Sequence, residues 1–350
     1  MLENAYYSPD VHGAFELFEL GDFPLELGGT LSNANLAYVT FGELNATKDN
    51  AILFPTWYSG THKMLADVYV GSGHALDPER FFIVLADQLG NGLSRSPHNS
   101  LGEQAMERFP ALSIGDDVRA QEQLLRERFG VEQVALVLGG SMGAQQVYEW
   151  AVRYPDRVRR AAPIAGTAKV TPHDAIFVES FVEAITSDPG FANGSYSAGE
   201  QVAAGLARSA RIFSVMGFST EFWKQEQWRG LGFESADAFQ TGFMNAYFGA
   251  MDPNNLICMA RKWQRGDVSR HTGGDLAAAL GRIKAKTFVM PIDEDMFYPV
   301  RDCAAEQEMI PGSEFRVIHS ISGHLALFGV DPGYIEQVDR HLGELLAADA

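Results

Sequence analysis

Residues 138–144 read LGGSMGA, a serine set among three glycines. Before them runs VEQVALV (131–137), aliphatic and β-branched, and after them comes QQVYEWAVRYPDRV (145–158), in which apolar residues recur at helical spacing. A strand that passes directly into a helix must turn sharply. Gly139 and Gly143, two residues either side of Ser141, let the backbone fold back without Cβ clashes. The pattern G-x-S-x-G in this setting predicts a serine on the tip of the turn, exposed at the carboxyl edge of a sheet. There it faces the positive end of the following helix, whose free N–H groups stabilise developing negative charge.

Outward from the turn, short continuous apolar runs follow one another: AILFPTWY (51–58), FFIVLAD (81–87), VALVLGG (134–140), RRAAPIAG (159–166), KTFVMPI (286–292) and EFRVIHSI (314–321). Such runs suit parallel strands buried on both faces. The earlier AFELFEL (14–20) and NLAYVTFGEL (35–44) alternate instead and suit antiparallel strands at a sheet edge. SIGDDVRAQEQLLRERFG (113–130) reads as a helix stopped by Gly130, and Ala144, Val147, Tyr148 and Ala151 mark the apolar face of another. The architecture is α/β, a mostly parallel, doubly wound sheet.

Between Lys169 and about residue 278 the alternation of strand and helix stops. A long helical stretch rich in Phe, Trp, Met and Gln takes its place, and the strand pattern then resumes at KTFVMPI. The expected division is a core of residues 1–168 and 279–350 and an inserted helical cap of residues 169–278. Phe213, Met216, Phe218 and Trp223 of that insert are its candidate pocket residues, because an aromatic-rich insert must bury its apolar surface against something.

Composition narrows the chemistry. The chain has 350 residues, 46% of them hydrophobic, enough for a large core and too many for a disordered chain. A formal charge of −18 without Lys/Arg clusters argues against nucleic acid or an anionic membrane as a partner. Cys258 and Cys303 form no C-x-x-C, and neither a disulfide framework nor a thiolate metal site is expected. His62 in SGTHK and His74 in GSGHALD read as isolated loop histidines, so no metal and no cofactor are predicted. The N-terminus lacks a basic segment followed by an apolar one, and no run of about 18 apolar residues occurs. A cytoplasmic protein is expected, with a homodimer left open.

A serine hydroxyl is a weak nucleophile at neutral pH and needs a base and a group to orient that base. After KTFVMPI stand Asp293, Glu294 and Asp295, and after EFRVIHSI stands His324. His319 falls within the last apolar run and reads as a strand residue, leaving His324 as the base. Serine, acid and histidine thus follow the ends of three strands in the order that acyl-transfer chemistry on such a sheet uses.

The chain resembles the homoserine acetyltransferase family of α/β-hydrolase-fold enzymes. GGSMGAQQVYEWAVRYPDRV (139–158) is similar to the family's elbow and following helix, DEDMFYP (293–299) to its S-D-x-L-[FY]-P motif, and SGHLALF (322–328) to its G-H-D-A-F motif. DQLGNGLSRSP (87–97) and DPNNLICMARKW (252–263) resemble further family segments. Counted back from Pro299, the resemblance assigns the acid to Asp295. TWYSG (56–60) stands where the family has H-A-L-T-G, which implies an oxyanion hole from the N–H groups of Tyr58 and Met142, with Trp57 beside the substrate. Two departures bear on specificity. The family's substrate-binding arginine in I-T-Y-R-S falls on Ser219, and the aspartate after its histidine falls on Leu325. A site without both charge partners binds a zwitterion poorly. The expected function is therefore hydrolysis of a small-molecule ester through an acyl-serine. The alternatives are an O-acyltransferase using an acyl-CoA and a non-catalytic binding protein of the same fold.

Overall fold

The computed structural model describes residues 2–349. Eight strands form one sheet: β1 (Glu16–Pro24), β2 (Thr30–Phe41), β3 (Ala51–Pro55), β4 (Phe82–Ala86), β5 (Leu136–Gly140), β6 (Arg160–Ile164), β7 (Lys286–Val289) and β8 (Glu314–Phe315). Their spatial order is β1-β2-β4-β3-β5-β6-β7-β8. The pairs β1–β2 and β2–β4 are antiparallel and all others parallel. This follows from composition: β3, β4 and β5 are buried at every residue, whereas β1, at the edge, is mostly exposed and buries only Leu20 and Phe23.

The chain reverses direction of winding after β4, so β3 and β5 lie side by side at the centre and open a crevice beyond their carboxyl ends. Helix Met142–Arg153 leaves β5 there and is buried along most of its length. Helix Ile114–Gln123 starts at a capping box between Ser113 and Asp116 and continues in wider turns to Gly130, which stops it in the left-handed conformation at φ 63°.

The final strand is shorter than its apolar run suggested. β8 pairs only through Glu314 and Phe315, with one further bridge from Ile318 to Ile292. His319 consequently lies outside the sheet and is exposed, contrary to its reading as a strand residue. Beyond Phe315 the run stays hydrogen-bonded to its neighbour, with the Arg316 and Ile318 amides donating to Val289 O and Pro291 O at 2.9 and 2.8 Å, and it leaves the sheet after Ile318.

Between β6 and β7 the chain is helical, with its longest elements at Pro172–Thr186, Ala203–Gly217 and Pro253–Trp263. Thr171 and Asp174 form a capping box for the first, with Pro172 at its first turn, and Asp252 caps the last ahead of Pro253. The segment leaves and returns through a narrow neck. Lys169 bridges Asp267 in antiparallel fashion, and the amides of Val170 and Val268 donate to Gly266 O and Ala168 O at 2.8 and 3.1 Å. Buried Lys262 of helix Pro253–Trp263 ties this layer to helix Ile114–Gln123 and to the loop after β4 by donating to Asp117 Oδ2 at 2.5 Å and Leu89 O at 2.7 Å. Among the described residues no helix is long and apolar enough to cross a membrane.

Candidate active site

Ser141 occupies the joint between β5 and helix Met142–Arg153 with φ 54° and ψ −122°, a conformation that L-residues rarely adopt. Its amide donates to Ile164 O of β6 at 2.9 Å, which holds the turn against the neighbouring strand. The flanking glycines are required by space. A methyl group on Gly139 would lie 2.4 Å from Gly143 O, and one on Gly166 would lie 2.7 Å from Ser141 O. The turn therefore has no room for a side chain at Gly139, as the sequence implied, whereas a methyl at Gly143 would be tight against Pro55 O at 3.0 Å.

The strain presents Ser141 Oγ to His324, whose Nε2 lies 2.9 Å away. His324 Nδ1 meets Asp295 Oδ2 at 2.7 Å. The other carboxylate oxygen, Oδ1, accepts the amides of Phe297 and Tyr298 at 2.7 and 3.1 Å, so the group is anchored on both sides. Asp293, two residues earlier, points elsewhere and meets His319 Nδ1 at 2.7 Å on the surface. The sheet thus brings Ser141, His324 and Asp295 together and leaves Asp293 out.

The serine is not exposed on a tip. Ser141, His324 and Asp295 retain only 4%, 3% and 5% of their accessible surface, so all three side chains are covered. Aromatic rings make up much of that cover. Tyr58 stacks on Phe181 and Phe213 with centroids 6.2 and 6.0 Å apart and tilts against Trp263 at 5.8 Å. Phe297 lies 4.4 Å from the His324 ring and 5.2 Å from Phe213. Burial among these rings pushes the Tyr58 phenol above its usual pKa. Phe181 carried no signal beyond being aromatic, Trp263 and Phe297 fall within the family-like segments 252–263 and 293–299, and the convergence of the three depends on the tertiary fold.

The remaining candidate residues separate into groups. Phe213 faces Tyr58 and Phe297, with Met216 half-buried one turn further along the same helix. Phe218 and Trp223 belong to a neighbouring cluster, where Phe218 stacks on Phe222 at 4.1 Å and both residues contact Phe239. Trp57 stacks on Phe328 at 6.0 Å. Ser219 is buried; its hydroxyl donates to Ile321 O at 2.5 Å and accepts the Phe222 amide, capping a short helix. Leu325 is buried against Gly217, where an added methyl would lie 2.9 Å from its side chain. Ser219 and Leu325 therefore join the helical layer to the loop that carries His324.

Tyr58 lies on the segment from β3 to helix His62–Tyr69, and the elbow packs against the start of that segment. A methyl on Gly143 would lie 3.0 Å from Pro55 O and 3.4 Å from Thr56 O. Among the described residues neither the Tyr58 nor the Met142 amide donates to another protein group. His62 is not a solvated loop histidine. It is buried and bonded to Asp87, because the chain turns into a helix at that residue and carries its ring inward.

The family model described as "alpha/beta hydrolase fold" matches residues 52–329. The chain is 57% identical over 347 residues to an ethyl acetate hydrolase of Pseudomonas veronii, covering 99% of each chain. It superposes on the crystal structure of an acetylester hydrolase from Corynebacterium glutamicum with a TM-score of 0.98 at 57% identity, covering 99% of this chain and 100% of that one. A homoserine O-acetyltransferase of Thermobifida fusca is 33% identical over 387 residues, with 98% of this chain and 96% of that one covered. The chain belongs to the α/β-hydrolase fold family, in a branch related to the homoserine O-acetyltransferases.

Proposed function

We propose that the chain is a serine ester hydrolase that cleaves esters of short acyl groups, acetate above all, through an acyl-serine at Ser141. The observation that carries this reading is His324 standing between Asp295 and Ser141 at hydrogen-bond distance from both. The relatives named as an ethyl acetate hydrolase and an acetylester hydrolase support the ester class and the short acyl group.

In the first half-reaction His324 Nε2 takes the Ser141 proton as Oγ attacks the ester carbonyl. Asp295 holds the imidazole by Nδ1 and stabilises the imidazolium. The oxyanion receives the N–H groups of Met142 and Tyr58, and each such donor is worth about 100- to 1000-fold in rate. Collapse passes the proton from His324 Nε2 to the leaving alkoxide. In the second half-reaction water gives its proton to His324 and attacks the acyl-serine, releasing the acid and restoring the hydroxyl.

In this reading the helical segment between the neck residues Lys169 and Asp267 acts as a cap, and Phe213, Met216 and Trp57 contribute to the pocket beneath it. The closeness of Phe297 and Phe213 to the triad suits a small acyl group better than a long one. With Ser219 and Leu325 engaged in internal contacts, no arginine or aspartate stands at those positions to hold an amino-acid acceptor, which favours water over homoserine. The test is hydrolysis of ethyl acetate and p-nitrophenyl acetate by the protein and by Ser141→Ala, with fluorophosphonate labelling of Ser141. Retention of activity by Ser141→Ala, or acyl transfer from acetyl-CoA to homoserine faster than hydrolysis, would overturn it.

A further inference from the structure

The segment 56–62, which carries Tyr58, is gripped at both ends by two adjacent residues of the loop after β4. At its far end Asp87, fully buried, makes a two-point contact with His62: Oδ1 accepts the His62 backbone amide at 3.0 Å and Oδ2 faces the ring Nδ1 at 2.5 Å. Asn91 Nδ2 donates to Oδ1 at 3.1 Å and holds the carboxylate in turn. At the near end Gln88 Nε2 donates to Thr56 O at 2.6 Å, and the Gln88 amide donates to Thr56 Oγ1 at 3.2 Å. Gln146, from the helix that follows Ser141, adds a second donor to Thr56 O at 3.1 Å. The peptide plane entering the segment and the residue leaving it are thus both fixed relative to the elbow.

The chemistry of the His62 ring makes this grip stronger than a neutral hydrogen bond. Nδ1 faces a carboxylate, and Nε2 lies 3.1 Å from the backbone carbonyl of His12, which can only accept. Both nitrogens thus face acceptors, an arrangement that favours the imidazolium form and agrees with the upward shift of the His62 pKa. A buried, charge-assisted pair of this kind holds backbone more firmly than a neutral one. His62 lies far in sequence from Ser141 and His324, and among the described residues it makes no hydrogen bond with either.

We infer that His62, Asp87 and Gln88 are positioning residues for ester hydrolysis: they hold segment 56–62 so that the Tyr58 amide addresses the oxyanion formed at Ser141. The inference rests on the assignment of that amide to the oxyanion hole. A displacement of about 1 Å in a preorganised donor is enough to lower the rate by about 100-fold, and a hydrogen-bonded loop keeps its geometry only while its anchors persist. Because the oxyanion exists only along the reaction path, loss of the grip lowers kcat and leaves ground-state binding in place.

The test compares His62→Phe, which keeps a ring and removes both donors, with His62→Asn, whose side-chain amide can still donate to Asp87. Gln88→Met supplies an independent probe at the other end, where Gln146 still bonds Thr56 O, and serves if His62→Phe fails to fold. For each folded variant kcat and KM for p-nitrophenyl acetate are measured, together with Ki for a trifluoromethyl ketone, whose adduct with Ser141 carries the oxyanion. His62→Phe is expected to lose about 10- to 100-fold in kcat with KM within about twofold and Ki raised in proportion, Gln88→Met to lose less in the same pattern, and His62→Asn to recover most of the loss. Unchanged kcat and Ki in folded His62→Phe or Gln88→Met would overturn the inference, as would a change in KM alone or a fall in kcat without a rise in Ki. Ser141→Ala measured alongside keeps the two readings apart: its retention of activity refutes the serine mechanism, whereas its inactivity beside fully active grip variants refutes only the positioning role.

Discussion

The exposed imidazole of His319 and the carboxylate of Asp293 meet at 2.7 Å, the same separation that buried His324 and Asp295 show. Both pairs come from the same two loops, but only the inner histidine reaches Ser141. Asp295→Asn and His324→Ala are therefore expected to lower kcat for p-nitrophenyl acetate by about 10³-fold or more, while Asp293→Asn stays within about threefold of the parent. Steady-state kinetics on the three variants check this; a loss confined to Asp293→Asn would reassign the acid.

Phe213 and Phe218 stand five residues apart and should respond to truncation in different ways. Phe213→Ala opens space beside Tyr58 and Phe297 and is expected to shift the ratio of kcat/KM between acetate and hexanoate esters toward the longer chain. Phe218→Ala removes a fully buried ring from its stack with Phe222 and is expected to cost about 3–5 kcal/mol of stability. Urea unfolding and an ester series measured on both variants separate the two outcomes.

The protein is expected to hydrolyse p-nitrophenyl acetate and to show no homoserine-dependent release of thiol from acetyl-CoA. Leu325→Asp would place a carboxylate against Gly217, and Ser219→Arg would remove a helix cap worth about 1 kcal/mol. Each alone should lower the melting temperature, and homoserine acceptance should improve more in the double variant than in either single one, because a carboxylate and an ammonium must be held at once. Thiol release with and without homoserine, beside thermal melts, is the measurement.

Lys262 and Asp117 form an ion pair with both side chains fully buried. Burial pushes the Asp117 carboxyl up, to about 6, against the pull of the Lys262 charge. Lys262→Met leaves that carboxyl without its cation and should cost about 3–5 kcal/mol, whereas Lys262→Met combined with Asp117→Asn should recover much of the loss. Chemical denaturation of the two variants tests the pair.

The His62–Asp87 pair predicts a pH dependence of stability. Burial by itself would depress the His62 pKa, but the charge and hydrogen bond of Asp87 and the bond to His12 O outweigh it, and the net shift is upward. Lys63 opposes the shift weakly, neighbouring His12 is held below its usual pKa by burial, and Tyr6 is raised to about 12, so neither neighbour is charged at neutral pH. A histidine raised on folding contributes fully below its unfolded pKa of about 6.5 and loses that contribution as pH rises through the folded value. The melting-temperature gap between the protein and His62→Asn is accordingly expected to be largest below the unfolded pKa of about 6.5 and to shrink as the pH rises above it.

The linear order of residues determined the parts of this protein that depend on local backbone chemistry and on hydrophobic period. The glycines around Ser141 are dictated by a turn with no room for Cβ atoms, the buried strands by their continuous apolar runs, and the stop at Gly130 by a left-handed cap. Ser141 and His324 were legible as partners because each follows a strand, and parallel strands end on one side of a sheet. Asp295 was separable from Asp293 in sequence only through the family resemblance, since both carboxylates follow the same strand; the turn at 295–298, whose amides bind one of them, is what sends the two in different directions. His319 could not be read correctly, because an apolar run does not show where pairing with the neighbouring strand ends, and here it ends at Ile318. Tertiary structure also decided that the serine is covered, that Phe213 and Phe218 face different clusters, and that His62 lies against Asp87. Each of these depends on contacts between residues distant in sequence, whose geometry no local pattern carries.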